Sequence, residues 1–302
     1  MLKNYSSTIE FYLLGFPGSK ELHNILFATF FFFYSVSLIG NMVIIFMVCI
    51  DKRLQSPMYF FLGHLSVLEM LTTTVTVPLM LWGLLLPGMQ AISLTACCVQ
   101  LYLYLSLGTS EFILFAAMAV DRYVAVCNPL RYTIIMNSHT CLWVVIVSWV
   151  FGFLFEIWPI YATFHLRFCK SNVLNHFYCD QGQLFKLSCD HSLFTEFILF
   201  LMAIFVLFGS LIPTIMPSGS GRWKAFSTCA SHFTCVVIGY SSCLFLFVKP
   251  NQTQATEYNR VASLMVLVVN PFLNPFIFTL RNDKFTEVFR DAVKSCYGLL
   301  RA

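Results

Sequence analysis

Long apolar runs alternate with short polar islands along this chain, and each run is about as long as a helix needs to cross roughly 30 Å of hydrocarbon. Seven runs have this character: 25–50, 58–81, 97–120, 141–161, 195–216, 230–248 and 258–280. Their length and continuous apolarity predict helices, because strands of an outer-membrane barrel would be about ten residues long and would alternate in polarity. The pattern therefore predicts an all-α membrane protein built as a seven-transmembrane helix bundle.

Composition narrows the picture further. Of 302 residues, 58% are hydrophobic and 11% are charged, against roughly 25% charged in a soluble domain. So few charges cannot cover soluble domains of this size, and 33 Phe would be left without a core. Disorder is excluded by the same figures, and a net charge of +4 gives little support for nucleic-acid binding. Residues 1–24 carry Lys3, Glu10, Lys20 and Glu21 without an apolar core, so no cleavable signal peptide is expected and the first span directs insertion. Of the 18 Lys and Arg, 11 fall on the side of the 51–57 loop and the tail. That roughly twofold bias in density places the amino terminus outside and the tail inside. Sequons at Asn4 and Asn251 fall on the outer side, where glycosylation occurs.

Four of the twelve cysteines, Cys97, Cys169, Cys179 and Cys189, lie on the outer side. Three of them sit in the long loop after the fourth span, which has little core and calls for covalent ties to a helix end; four cysteines allow three pairings. No Cys/His set has zinc-finger spacing. Within the spans, Glu69 and Glu111 are expensive, at about 2.5–3.5 kcal/mol each at mid-membrane. Facing the interior with Asn41, Ser66, Ser110, Asn270 and Asn274, they could hold a cation, share a proton, or be protonated and hydrogen-bonded between helices. Glu156 and Glu196 lie nearer the outer ends and read as interfacial. Asp121-Arg122-Tyr123 ends the third span with an opposed charge pair that can exchange partners between states. Pro271 and Pro275, four apart, break the ladder of the seventh span and give either a pivot or a static kink.

With these motifs in order, the chain resembles the olfactory receptors, a branch of the rhodopsin-like (class A) G-protein-coupled receptors. The resemblance is carried by the early sequon, Gly40-Asn41, Pro57-Met58-Tyr59-Phe60-Phe61-Leu62 and Leu65-Ser66 with Glu69. It continues through Met118-Ala119-Val120-Asp121-Arg122-Tyr123-Val124-Ala125-Val126-Cys127, Lys224-Ala225-Phe226-Ser227-Thr228-Cys229-Ala230-Ser231-His232, and Leu273-Asn274-Pro275 to Leu280-Arg281-Asn282. It implies a plasma-membrane receptor with an extracellular segment 1–24, a receptor domain 25–280 and a cytoplasmic tail 281–302. Residues 283–297 of that tail would form an amphipathic eighth helix on the inner leaflet.

The resemblance further implies that Cys97 pairs with Cys179 and Cys169 with Cys189. Asp121, Arg122 and Tyr123, with Asn274 and Pro275, would serve activation and coupling to a heterotrimeric G protein of the olfactory stimulatory type, which raises cyclic AMP. Glu69 and Glu111 would flank a sodium ion, the one cofactor that the family pattern admits. An odorant would sit in the outer half of the bundle among Tyr104, Leu105, Gly108, Thr109, Met202, Ala203, Val206, Tyr240, Cys243, Leu244 and Phe247. That set is apolar, sulfur-containing and aromatic, without formal charge. It suits a small volatile molecule with at most one hydrogen-bonding group and offers no carboxylate to an amine.

Three departures qualify the resemblance. Phe278 stands where rhodopsin-like receptors usually carry Tyr, removing a hydroxyl that helps hold the active state. Met80 stands near the place where the family often has a lysine after Pro78. The fifth span runs directly into Pro217-Ser218-Gly219-Ser220-Gly221-Arg222, where the family normally has a Ser-Tyr pair and further helical turns. Its 22 residues reach about 33 Å, just enough to span, so the expected alternative is a receptor-like chain with impaired coupling. A transporter would show internal repeats and broken helices. An enzyme would need a nucleophile elbow or a metal motif. Neither pattern is present, so no enzymatic activity is expected.

Overall fold

The computed structural model describes residues 10–86, 88–169, 171–189, 193–215, 255–280 and 282–299. Helix α1, Lys20–Ile50, begins before its apolar run because the Ser19 hydroxyl accepts the Leu22 amide at 3.3 Å. Helix α2, Pro57–Leu85, starts on Pro57, whose missing N–H costs nothing in a first turn. Helix α3, Leu94–Cys127, is capped by Ser93, and a short α4, Tyr132–Ile135, comes next on the inner side. The fourth span is two helices, α5 (Ser138–Phe155) and α6 (Ile157–Phe164), joined at Glu156. Pro159 explains the joint: lacking an N–H, it leaves the Phe155 carbonyl without its helical donor.

Helix α7, Gln181–Leu187, lies in the outer loop, and α8, Leu193–Ile215, is the fifth span. The sixth run, 230–248, lies outside the described residues, as do the sequons at Asn4 and Asn251 and the Lys224 to His232 motif. The seventh span is α9 (Ala255–Leu264), a π-helical turn at Met265–Val269 and α10 (Asn270–Leu280). Helix α11, Asp283–Leu299, closes the described chain. Among the described residues, five helical stretches are long and apolar enough to cross a membrane: Lys20–Ile50, Pro57–Leu85, Leu94–Ala125, Ser138–Phe164 and Asn259–Ile277. Apolar side chains such as Phe32, Ile39, Phe46, Trp82, Leu154 and Phe205 are more than half exposed on the helix surfaces, which is where lipid would be their solvent.

Close backbone approaches set the packing. A Cβ on Gly40 would fall 2.8 Å from the Cβ of Pro275, so α1 lies directly on the kinked α10. At that kink, Pro275 has no N–H to give the Pro271 carbonyl, and the Ser37 hydroxyl of α1 donates to it instead at 3.0 Å. A Cβ on Gly152 would come within 2.6 Å of the Ser106 carbonyl oxygen, so α5 touches the α3 backbone.

At the outer end a small sheet adds an element that the hydropathy pattern did not contain. Its central strand β1, Glu10–Leu13, runs antiparallel to β2, Gln90–Ser93, and parallel to β3, Val173–Leu174. Alternation within β1 buries Phe11 and Leu13 against Cys97, Leu174 and Cys179 while Glu10 and Tyr12 face out. At the inner end, Arg53 bonds to both Asp51 and Asp291 at 2.9 Å, tying the first inner loop to α11. The side-chain bond from Arg53 holds the Asp51 carboxyl below its usual range. The buried side of α11 presents Phe285 and Val288 to the bundle.

Candidate functional site

Between α3, the α5–α6 joint, α7 and α8 lies a cavity of about 90 Å³. Leu105, Gly108 and Thr109 line it from α3, and Met202, Ala203 and Val206 from α8. Tyr104 does not join them: one position from Leu105 it points about 100° away around the helix, and its ring packs edge-on to Tyr178 at 5.6 Å. Tyr240, Cys243, Leu244 and Phe247 lie outside the described residues. Gly108 leaves real space, because nothing lies within 4 Å of where its Cβ would be. The volume is well below the roughly 300–1,000 Å³ of drug-sized sites, so what enters is small.

Six lining residues come from outside the expected set: Phe112, Phe155, Glu156, Pro159, Gln181 and Leu199. Glu156 corrects the sequence reading twice. It is not interfacial but 7% exposed, and its Oε1 accepts the Thr109 hydroxyl at 2.7 Å. The cavity therefore does contain a carboxyl group. The helix break at Pro159 turns Glu156 inward, and the proline was the signal in the sequence that could have found it.

The outer loop is held over this cavity by the disulfides. Cys97 at the start of α3 pairs with Cys179, and Cys169 pairs with Cys189, with Cα atoms 5.5 and 5.8 Å apart. Two residues beyond Cys179, Gln181 lines the cavity and donates to the Thr163 hydroxyl at 2.8 Å. The Cys179 amide is itself held by Gln100 Oε1 at 3.1 Å.

Deeper in the bundle, Glu69 of α2 accepts a bond from the Asn274 amide of α10, and Glu111 of α3 accepts the Thr72 hydroxyl at 2.8 Å. The two carboxyls lie within electrostatic reach of each other, with Asn41 also near Glu69. The Oδ1 atoms of Asn270 and Asn274 are buried without a partner among the described residues. Two carboxylates and two spare amide oxygens are hard ligands of the kind that suit an alkali or alkaline-earth ion. The residues present thus fit a cation, although no cluster of three His, Cys, Asp or Glu occurs among the described residues. Ser110 departs from the expected cluster: its hydroxyl donates to the Ser106 carbonyl beside Gly152.

At the inner end of α3, Asp121 is fully buried and Arg122 grips its Oδ2 at 2.5 Å through Nη2 and 2.9 Å through Nε. The Tyr132 hydroxyl of α4 donates to the other oxygen, Oδ1, at 2.8 Å. Burial first, and the Asp121 carboxylate second, push the Tyr132 phenol well above its usual range. Arg122 is thus held by its neighbour, and Asp121 is held from the loop as well. Tyr123 is the next residue of α3, and the side chain of Phe278 lies outside the described residues.

A family profile described as olfactory receptor matches residues 30–295. The chain is similar to olfactory receptor 9A4 of Homo sapiens, with 73% identity and 100% of each chain covered. Olfactory receptors 9A1 and 9A2 of Homo sapiens are 69% and 68% identical, again over 100% of each chain. The alignment to the first runs to 313 positions against 302 residues here, so gaps in this chain occupy at least 11 of them. A helical bundle with a disulfide-held outer loop, a small outer cavity and these full-length likenesses lead to one assignment: the chain belongs to the olfactory receptor family, the odorant-sensing G-protein-coupled receptors, which are multi-pass plasma-membrane proteins.

Proposed function

We propose that this receptor takes small, mostly apolar volatile molecules into the cavity between α3 and α8 and activates an olfactory-type stimulatory G protein, raising cyclic AMP. The observation that carries the reading is the convergence of Leu105, Gly108, Thr109, Met202, Ala203 and Val206 on one small cavity under the disulfide-held loop. Ligand entry would shift α8 and α6 against α3, and the pair Asp121–Arg122 would separate at the inner end to let Arg122 reach the G protein. A sodium ion would be held by Glu69, Glu111, Asn270 and Asn274, supplying positive charge between the two carboxylates. The amino terminus faces outside and the tail inside, which the loop-charge bias and the two disulfides beside β1 support.

Gly108→Leu tests the cavity. The Cβ enters open space and leucine is a better helix former, so folding and surface expression are expected to be kept while the cavity is filled. In a cyclic-AMP assay with an odorant panel, an active odorant should lose about tenfold or more in potency. Unchanged responses at equal surface expression would place the ligand elsewhere. A second reading, a receptor-like chain with weakened coupling, is favoured by the positions missing against the human relative together with the short fifth span.

A further inference from the structure

Among the described residues lining the cavity, Glu156 is the one that carries an ionisable side chain, and the α5–α6 joint aims it inward. The Thr109 hydroxyl satisfies its Oε1. Its second oxygen, Oε2, has no hydrogen-bond partner among the described residues, and Glu156 takes part in none of their ion pairs. The rest of the described lining is apolar apart from Thr109 and Gln181, whose amide nitrogen is engaged by Thr163. A carboxylate in such surroundings is strongly disfavoured until a positive charge is brought to it.

We propose that the cavity selects small amines, whose ammonium group donates to the free oxygen of Glu156 and supplies its missing counter-charge while the hydrocarbon part lies against Leu105, Leu199 and Val206. This rests on the reading of the cavity as the odorant site and names its ligand class. The amine arrives protonated at neutral pH, and as it binds, the proton held by the buried Glu156 carboxyl passes to solvent, leaving an ion pair. A neutral alcohol of the same shape fills the same space and makes a hydrogen bond, but it brings no charge to stabilise the carboxylate. A bond to a charged partner is the stronger one.

The test compares isobutylamine with isobutanol, which have matched carbon skeletons, by ligand-induced thermal stabilisation of the purified full-length receptor. This readout does not pass through the G protein. Isobutylamine should stabilise the wild type at concentrations at least about tenfold lower than isobutanol. Glu156→Gln should abolish that preference, so that isobutylamine stabilises the variant no better than isobutanol does. Equal or weaker stabilisation by the amine overturns the assignment, as does a preference that survives Glu156→Gln. The wild-type preference decides the matter alone if Glu156→Gln does not fold. Failure of the amine leaves the cavity reading to the separate Gly108→Leu result, so the two can fall independently.

Discussion

His176 is a buried residue of the outer loop, its ring 4.6 Å from that of Tyr178 and its Nε2 3.4 Å from the Ser263 hydroxyl of α9. Burial pushes its pKa down to about 4; Arg260 adds to the depression and Asp180 opposes it. The folded state therefore binds the proton less well than the unfolded chain. The stability of this region is fully present above the ordinary histidine range near 6.5 and is lost as pH falls toward 4. Across that window the loss should reach about 3 kcal/mol. Thermal unfolding of wild type and His176→Gln, measured from neutral pH to below 5, checks it. The wild type should lose melting temperature more steeply, and parallel pH profiles would remove His176 as the cause.

Residue chemistry is readable from the sequence where it depends on one helix and hidden where it depends on two. Leu105, Gly108 and Thr109 stand at i, i+3 and i+4 and so share a face of α3, which spacing alone shows. Glu156 escapes a sequence reading because depth along a span does not measure depth from water, and the break before Pro159 re-aims the side chain. Gln181 has no place in the site until the Cys97–Cys179 tie fixes the loop over the cavity.

Among the elements, α5 and α3 are in close backbone contact at a single glycine. A methyl at Gly152 would meet the Ser106 carbonyl oxygen at 2.6 Å and the Ser110 amide nitrogen at 3.0 Å, neither of which is a flexible side-chain tip. Gly152→Ala should therefore force the helices apart and cost about 1–3 kcal/mol. Gly63 of α2 is the control, since its Cβ would meet Val48 at an ordinary 3.6 Å. There the gain in helix propensity, up to about 1 kcal/mol, should win. Opposite shifts in melting temperature are expected, and equal shifts would show that α3–α5 contact does not limit stability. The helices themselves are legible in apolar length, but α1, α3 and α5 start a few residues before their apolar runs, at the caps Ser19, Ser93 and Asn137, which hydropathy does not read. Strand β1 is not, because its four residues gain their partners from chain segments far away.

For the whole molecule, the decisive length is that of the fifth span. The described part of α8 has 23 residues, a reach of about 34 Å, and residues 216–254 lie outside the described residues. Inserting a Ser-Tyr pair and further helical turns between Met216 and Pro217, where the family pattern expects them, should raise the maximal cyclic-AMP response of this chain severalfold without moving odorant potency. Equal maxima for both versions would show that coupling is already intact.

The central place of β1 carries a consequence in time. Tyr12 pairs with Val173, 161 positions later, and ribosomes add about 5–20 residues per second. The strand therefore waits about ten to thirty seconds after its own synthesis for its parallel neighbour. During that interval Phe11 and Leu13 have no complete shelter, and Cys97 has no Cys179 to join. Biogenesis of this receptor thus depends on the chain's first and fifth segments finding each other late, after four spans have already been made.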